Sequence, residues 1–167
     1  MPSRRTFLST IGAVSGGLGA GCLSSLRAVS GYVQLKSIEG WYAAADGGGN
    51  DPIMSVQLSS PPGGEPELGY LDPEWEDRFD TPREPVVSDD LHDDFDRTYD
   101  TIVYTVGVCS EEWIDGRDDD DGEGCHNDSV SREEFNMVQV HDQASASFED
   151  HDLSIHSREG TWAFESE

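Results

Sequence analysis

The chain reads as mainly β: an antiparallel sandwich or small barrel with one short inserted helix, placed after an N-terminal signal segment. Three observations carry this reading. Apolar residues alternate with polar ones, or run unbroken over strand lengths, as in "TIVYTVGVC" from Thr101 to Cys109. Clusters rich in Gly, Pro, Asp and Ser punctuate these runs. A single stretch, "SDDLHDDFDRTYD", carries helical spacing instead.

In chain order, Gly31 to Ala45 holds Tyr32, Val33, Leu35, Ile38, Trp41 and Tyr42, the β-branched and aromatic content of one strand or a broken pair. "DGGGNDP", Asp46 to Pro52, is built from residues that tolerate turn conformations. Ile53 to Leu58 alternates as a half-buried strand and pairs with the first as a hairpin. Ser59 to Pro85 is proline-rich and acidic, an irregular excursion pinned by Tyr70, Leu71, Trp75 and Phe79. In the helix that follows, Ser88 caps the first free amides, and Asp89 and Asp90 suit the positive end of the dipole. Leu91, Phe95 and Tyr99 share one face, and His92 is a solvated surface residue. Thr101–Cys109 is apolar on both faces and therefore central. "FNMVQV", Phe135 to Val140, reads as a strand, and Ser145–Phe148, Leu153–His156 and Thr161–Phe164 are spaced like a meander.

The 167 residues suffice for one domain, and removing residues 1–21 still leaves enough chain to bury a core. Charge is the outstanding property: 35 acidic residues against 10 basic ones give a formal net charge of -25. Lys36 is the single lysine. High charge at low hydrophobicity is also the signature of disorder. Four Trp, six Phe and five Tyr spread along the chain favour a folded domain with an acidic surface. Such a surface repels itself in dilute salt, but at molar salt the Debye length falls to about 3 Å and the repulsion is screened. This acid-rich, lysine-poor composition resembles that of proteins from extremely halophilic archaea. Nucleic acid is excluded as a partner, since no basic patch is present to neutralise phosphates.

Ser3-Arg4-Arg5-Thr6-Phe7-Leu8 resembles the twin-arginine export motif, S-R-R-x-F-L-K, with Ser9 in place of the lysine. Phe7 to Gly21 is too short and glycine-rich for a spanning helix, which needs about 20 largely apolar residues. Leu18-Gly19-Ala20-Gly21-Cys22 resembles a lipobox, with its leucine four residues before the cysteine rather than three. The resemblance implies a twin-arginine-exported lipoprotein of halophilic archaea. Residues 1–21 are its signal peptide, 22–30 the lipidated Cys22 and a tether, and 31–167 an acidic β-rich domain. The export signal rests on Arg4, Arg5, Phe7 and Leu8, with the twin-arginine translocase as partner during export. The expected location is the extracytoplasmic face of the cell membrane, held by a lipid anchor on Cys22. A single acyl chain holds a protein only marginally, whereas two anchor it stably.

Cys109 and Cys125 are expected to pair as a disulfide in an oxidising compartment, leaving Cys22 over. Closing that loop of about 15 residues contributes roughly 3 kcal/mol on the loop-entropy account. Metal thiolates with His126 are the alternative. The acidic run Asp118–Asp121 lies within the loop, and its Asp119 and Asp121 fit the early positions of a calcium loop. Val130 stands where the closing glutamate belongs, so the match fails. No cofactor is predicted; loose Ca²⁺ binding at Asp119, Asp121 and His126 is the rival reading. Asn127-Asp128-Ser129 is a glycosylation sequon, expected in an accessible loop. His126 directly follows Cys125 and Met137 lies far beyond it, which does not fit a blue-copper site. Neither G-x-S-x-G nor H-E-x-x-H nor a phosphate loop occurs. The function expected is a non-enzymatic binding or envelope component, with an exported divalent-cation or metal-binding protein as the alternative.

Overall fold

The computed structural model describes residues 27–59, 65–113 and 124–164. Among them the chain forms β1 (Val29–Tyr42), β2 (Gly49–Leu58), β3 (Pro66–Leu71), α1 (Asp89–Thr98), β4 (Thr101–Ser110), β5 (Gly124–Val130), α2 (Arg132–Met137), β6 (Asp142–Glu149) and β7 (Asp152–Thr161). All strand pairings are antiparallel. The expected mainly β class is the one found, as a curled sheet shaped like a half-barrel. β1 begins at Val29, two residues ahead of the expected boundary at Gly31.

β1 organises the sheet. β4 takes one edge of it from Tyr32 to Trp41. The other edge is divided: Val29–Tyr32 pairs with β6, and Leu35–Tyr42 pairs with β2. The sheet therefore forks at Val33 and Gln34. A bulge at Gln34, between Val33 and Leu35 in the β1–β4 pairing, bends β1 at the fork, and a second at Ile53, opposite Ile38/Glu39, bends β2. At the fork the His141 amide donates to the Val33 carbonyl at 2.8 Å.

The concave side carries the core. Leu91 and Phe95 of α1 are buried there, and Ser88 accepts from the Leu91 amide as expected of its cap. Trp75 meets Phe95 edge to face at 4.6 Å and donates from Nε1 to the Tyr99 hydroxyl. Tyr99 lies flat over Gly40, where a Cβ would come within 2.4 Å of the ring, so only glycine admits it.

Four expectations change. Tyr70 and Leu71 sit in an edge strand, β3, inside the stretch expected to be irregular. Phe135–Val140 is not a strand: Ser131 and Glu134 form a reciprocal capping box that starts α2, and Phe135 faces the core. The alternation of "FNMVQV" hid this, although S-x-x-E directly precedes it. Thr161 ends β7, and Trp162 and Phe164 pack on Tyr32 with ring centroids 5.7 and 4.9 Å away rather than forming a strand. His92 is half-buried, its Nδ1 sharing a 2.7 Å hydrogen bond with the Tyr104 hydroxyl.

β5 and β7 run in the same direction, each two antiparallel steps from β1, and approach at the open side of the half-barrel. Carboxylates stitch this seam. Asp128 Oδ2 accepts from the Leu153 amide at 3.2 Å, and Glu134 Oε1 accepts from the Ile155 amide at 3.0 Å. Glu134→Ala should remove this bond and the capping box together, lowering stability by about 1–2 kcal/mol in molar salt. Chemical denaturation measures the loss, and faster amide exchange at Ile155 locates it.

Candidate functional site

The fork brings together residues that are far apart in sequence. Lys36 points inward between Val33 and Ile38 and is 0% exposed. Its Nζ donates to the Val138 carbonyl at 2.7 Å, the Pro85 carbonyl at 2.9 Å and Gln139 Oε1 at 3.0 Å. The same nitrogen sits 4.0 Å from the centre of the Phe135 ring. Burial pulls the ammonium down to about 7, and the nearby Asp142 carboxylate opposes that pull. Three acceptors match the three hydrogens of an ammonium, while a neutral amine would offer only two.

Asp142 is buried beside this group. Its Oδ2 accepts from the Gln139 amide and from Arg158 Nε, both at 2.7 Å. Lys36, Gln139, Asp142 and Arg158 thus form one polar network through the fork, from core to surface.

A groove of about 700 Å³ opens next to this network, at His141. Pro66 and Leu68 of β3 form one wall, the segment Asp80–Glu84 the other, and His141 closes the end. It continues past Pro66, Glu84 and His141 towards Asp142 and Arg158. His141 adopts φ 80°, a conformation rare for a side-chain-bearing residue, and its ring stacks on Phe164 at 5.6 Å. The other arginines among the described residues are ion-paired: Arg27 with Glu149, Arg78 and Arg97 with Asp94, Arg132 with Asp89, Arg158 with Asp142. Arg83 alone among them makes no such pair, and it lines the groove with Glu65, Asp80 and Glu84. The groove therefore offers an uncommitted guanidinium, a carboxylate rim and an apolar wall.

Of the residues expected to carry function, Cys109, Cys125, His126 and Asn127 are described, and none of them lines the groove. Arg4, Arg5, Phe7, Leu8 and Cys22 fall outside the described residues, as do Asp119 and Asp121. Cys109 and Cys125 stand directly opposite each other on β4 and β5, with sulfurs 2.06 Å apart. His126 stacks face to face on Phe148 at 3.7 Å and meets Trp113 edge-on at 5.1 Å, so its ring is engaged in packing. Among the described residues no three His, Cys, Asp or Glu side chains converge to hold a metal ion. Asn127 lies in β5 rather than in a loop, exposed on an edge strand, with its Oδ1 accepting from Gln34 Nε2 at 3.0 Å. Opposite it is Gly107, where a Cβ would fall 2.1 Å from that oxygen.

Sequence reasoning missed the groove because its walls come from four separate segments. One signal was present: a lone lysine at a position alternating with Ile38 and Gly40 belongs to the buried face of its strand.

Lys36→Met leaves the Pro85 and Val138 carbonyls and Gln139 Oε1 without their donor and should cost about 3 kcal/mol or more. The folded pKa lies below the unfolded value, so between about 7 and 10.5 the unfolded chain binds the extra proton. Wild-type stability therefore gains on the variant as pH rises through that window. Denaturant titrations at its two ends measure the effect; a constant margin would contradict it. No family model, curated protein or solved structure matches this chain.

Proposed function

We propose that the chain is a lipoprotein of the extracytoplasmic membrane face, exported by the twin-arginine route, anchored through Cys22 and acting as a binding component through the groove at the fork. Two motifs carry the reading: Ser3-Arg4-Arg5-Thr6-Phe7-Leu8, which resembles the twin-arginine export signal, and Leu18-Gly19-Ala20-Gly21-Cys22, which resembles a lipobox. Six residues, Leu23 to Ala28, separate Cys22 from the start of β1 at Val29. Cysteine sulfurs at bonding distance on β4 and β5 suit an oxidising compartment. The acidic surface suits molar salt, where its self-repulsion is screened.

The groove fits a small zwitterion, its anion on Arg83 and its cation against Glu65, Asp80 or Glu84, with the body on Pro66 and Leu68. Such a ligand meets both signs of charge, whereas a simple anion would meet a mostly acidic rim.

Intact-mass spectrometry of membrane-extracted protein tests the anchor. The expected mass corresponds to cleavage before Cys22, a lipid on its sulfur and a Cys109–Cys125 bridge. An unmodified full-length mass would overturn the reading. Calorimetric titration with free amino acids and short peptides in molar salt tests the groove. Arg83→Ala should weaken binding roughly tenfold or more, the worth of a charge-assisted hydrogen bond. Silence across the panel removes the groove from the proposal without touching the anchor.

A further inference from the structure

The convex face of the sheet stands apart from the rest of this acidic molecule. Register and burial place Leu35, Ser37 and Trp41 of β1, Val103 and Thr105 of β4, and Tyr70 of β3 on that side. Ser55 and Gln57 of β2 and Asn127 and Ser129 of β5 complete it. Gly107 fixes the assignment, because a Cβ there would point at both Asn127 and Leu35. Among the described residues of these strands the face carries two acids, Glu39, hydrogen-bonded by Asn50, and Glu67, with Asp72 bonded to Tyr70 at its margin. Trp41 and Tyr70 remain 42% and 40% exposed upon it.

We propose that this convex face is the contact between two copies of the chain, packed sheet on sheet about a two-fold axis. Charge selects the occupant. Two bodies of net charge -25 repel wherever their carboxylates face each other, and among the described residues this is a broad surface with few of them. Shape agrees: Ser37, Ser55, Thr105 and Gly107 make a low, flat centre, which lets sheets approach to about 10 Å. Size is adequate. Five strands about 4.8 Å apart, each contributing six to eight residues at about 3.3 Å, cover roughly 550 Å² per copy. The pair then buries on the order of 1,100 Å², just above the roughly 1,000 Å² that a specific interface should clear. An isologous contact needs a self-complementary patch, and a flat neutral centre with an aromatic at its margin supplies one.

Sedimentation equilibrium of the full chain carrying Cys22→Ser, in molar KCl, tests the proposal apart from any lipid anchor. The expected species is a dimer that dissociates as salt is lowered while the circular dichroism of the monomer persists. Thr105→Glu places two carboxylates face to face across the axis and should raise the dissociation constant roughly a hundredfold. Trp41→Ser, at an exposed position that does not threaten folding, should raise it roughly tenfold. Asp93→Asn, on α1 away from the face, should leave it unchanged. A monomer at every protein concentration in molar salt would overturn the proposal, as would a dimer indifferent to both face variants. So would a monomer that captures a neutral oligosaccharide through Trp41 and Tyr70, or a native protein whose Asn127 glycan covers the face.

Discussion

The three hydrogen bonds from the Lys36 ammonium hold the molecule's most demanding junction. β1 is shared by two branches of sheet on one edge, and a strand used in this way leaves a wedge where the branches part. Pro85 arrives there from the excursion before α1, and Val138 and Gln139 arrive from the segment after α2. Both segments bring backbone carbonyls into the interior, where an unpaired acceptor is expensive. One long side chain rising from β1 satisfies them together. Asp142 then balances the charge and passes the contact on to Arg158 at the surface.

This arrangement explains how an acidic chain uses its few cations. Arg78 and Arg97 both turn to Asp94 on α1, and Arg132 ties the start of α2 to Asp89 at the start of α1. Several carboxylates also have structural tasks: Asp128 and Glu134 accept from strand amides at the seam, and Ser131 with Glu134 starts a helix. Many remaining acids lie on exposed positions, where molar salt screens them. Against that background, among the described residues, an arginine without an ion pair in a groove and a sheet face with few acids are departures from the pattern. Both are places where a partner would meet a different electrostatic surface.

Much of the secondary structure was legible because its causes are local. Ser88, Asp89 and the Leu91–Phe95 spacing specify α1 by capping, dipole and periodicity, and the unbroken apolar run of Thr101–Cys109 could only be a strand covered on both faces. Where causes were not local, the reading erred. β3 and β5 contain Pro66, Gly69, Gly124, Asn127 and Asp128, residues of low strand propensity; pairing with β2 and β4 outweighs that preference. Phe135–Met137 satisfies a strand pattern and a helix pattern equally, and the capping box decides between them.

The amino-acid sequence by itself determined the class of the fold, its acidity, the cysteine pair and the single lysine, because composition and short-range spacing govern those. The fork, the groove and the neutral convex face were decided only in three dimensions. Each depends on which strands share the edges of β1, and that pairing joins segments as far apart as Lys36 and Val138. Long-range pairing is settled by the combined packing of both faces of a sheet, which no local window of residues contains.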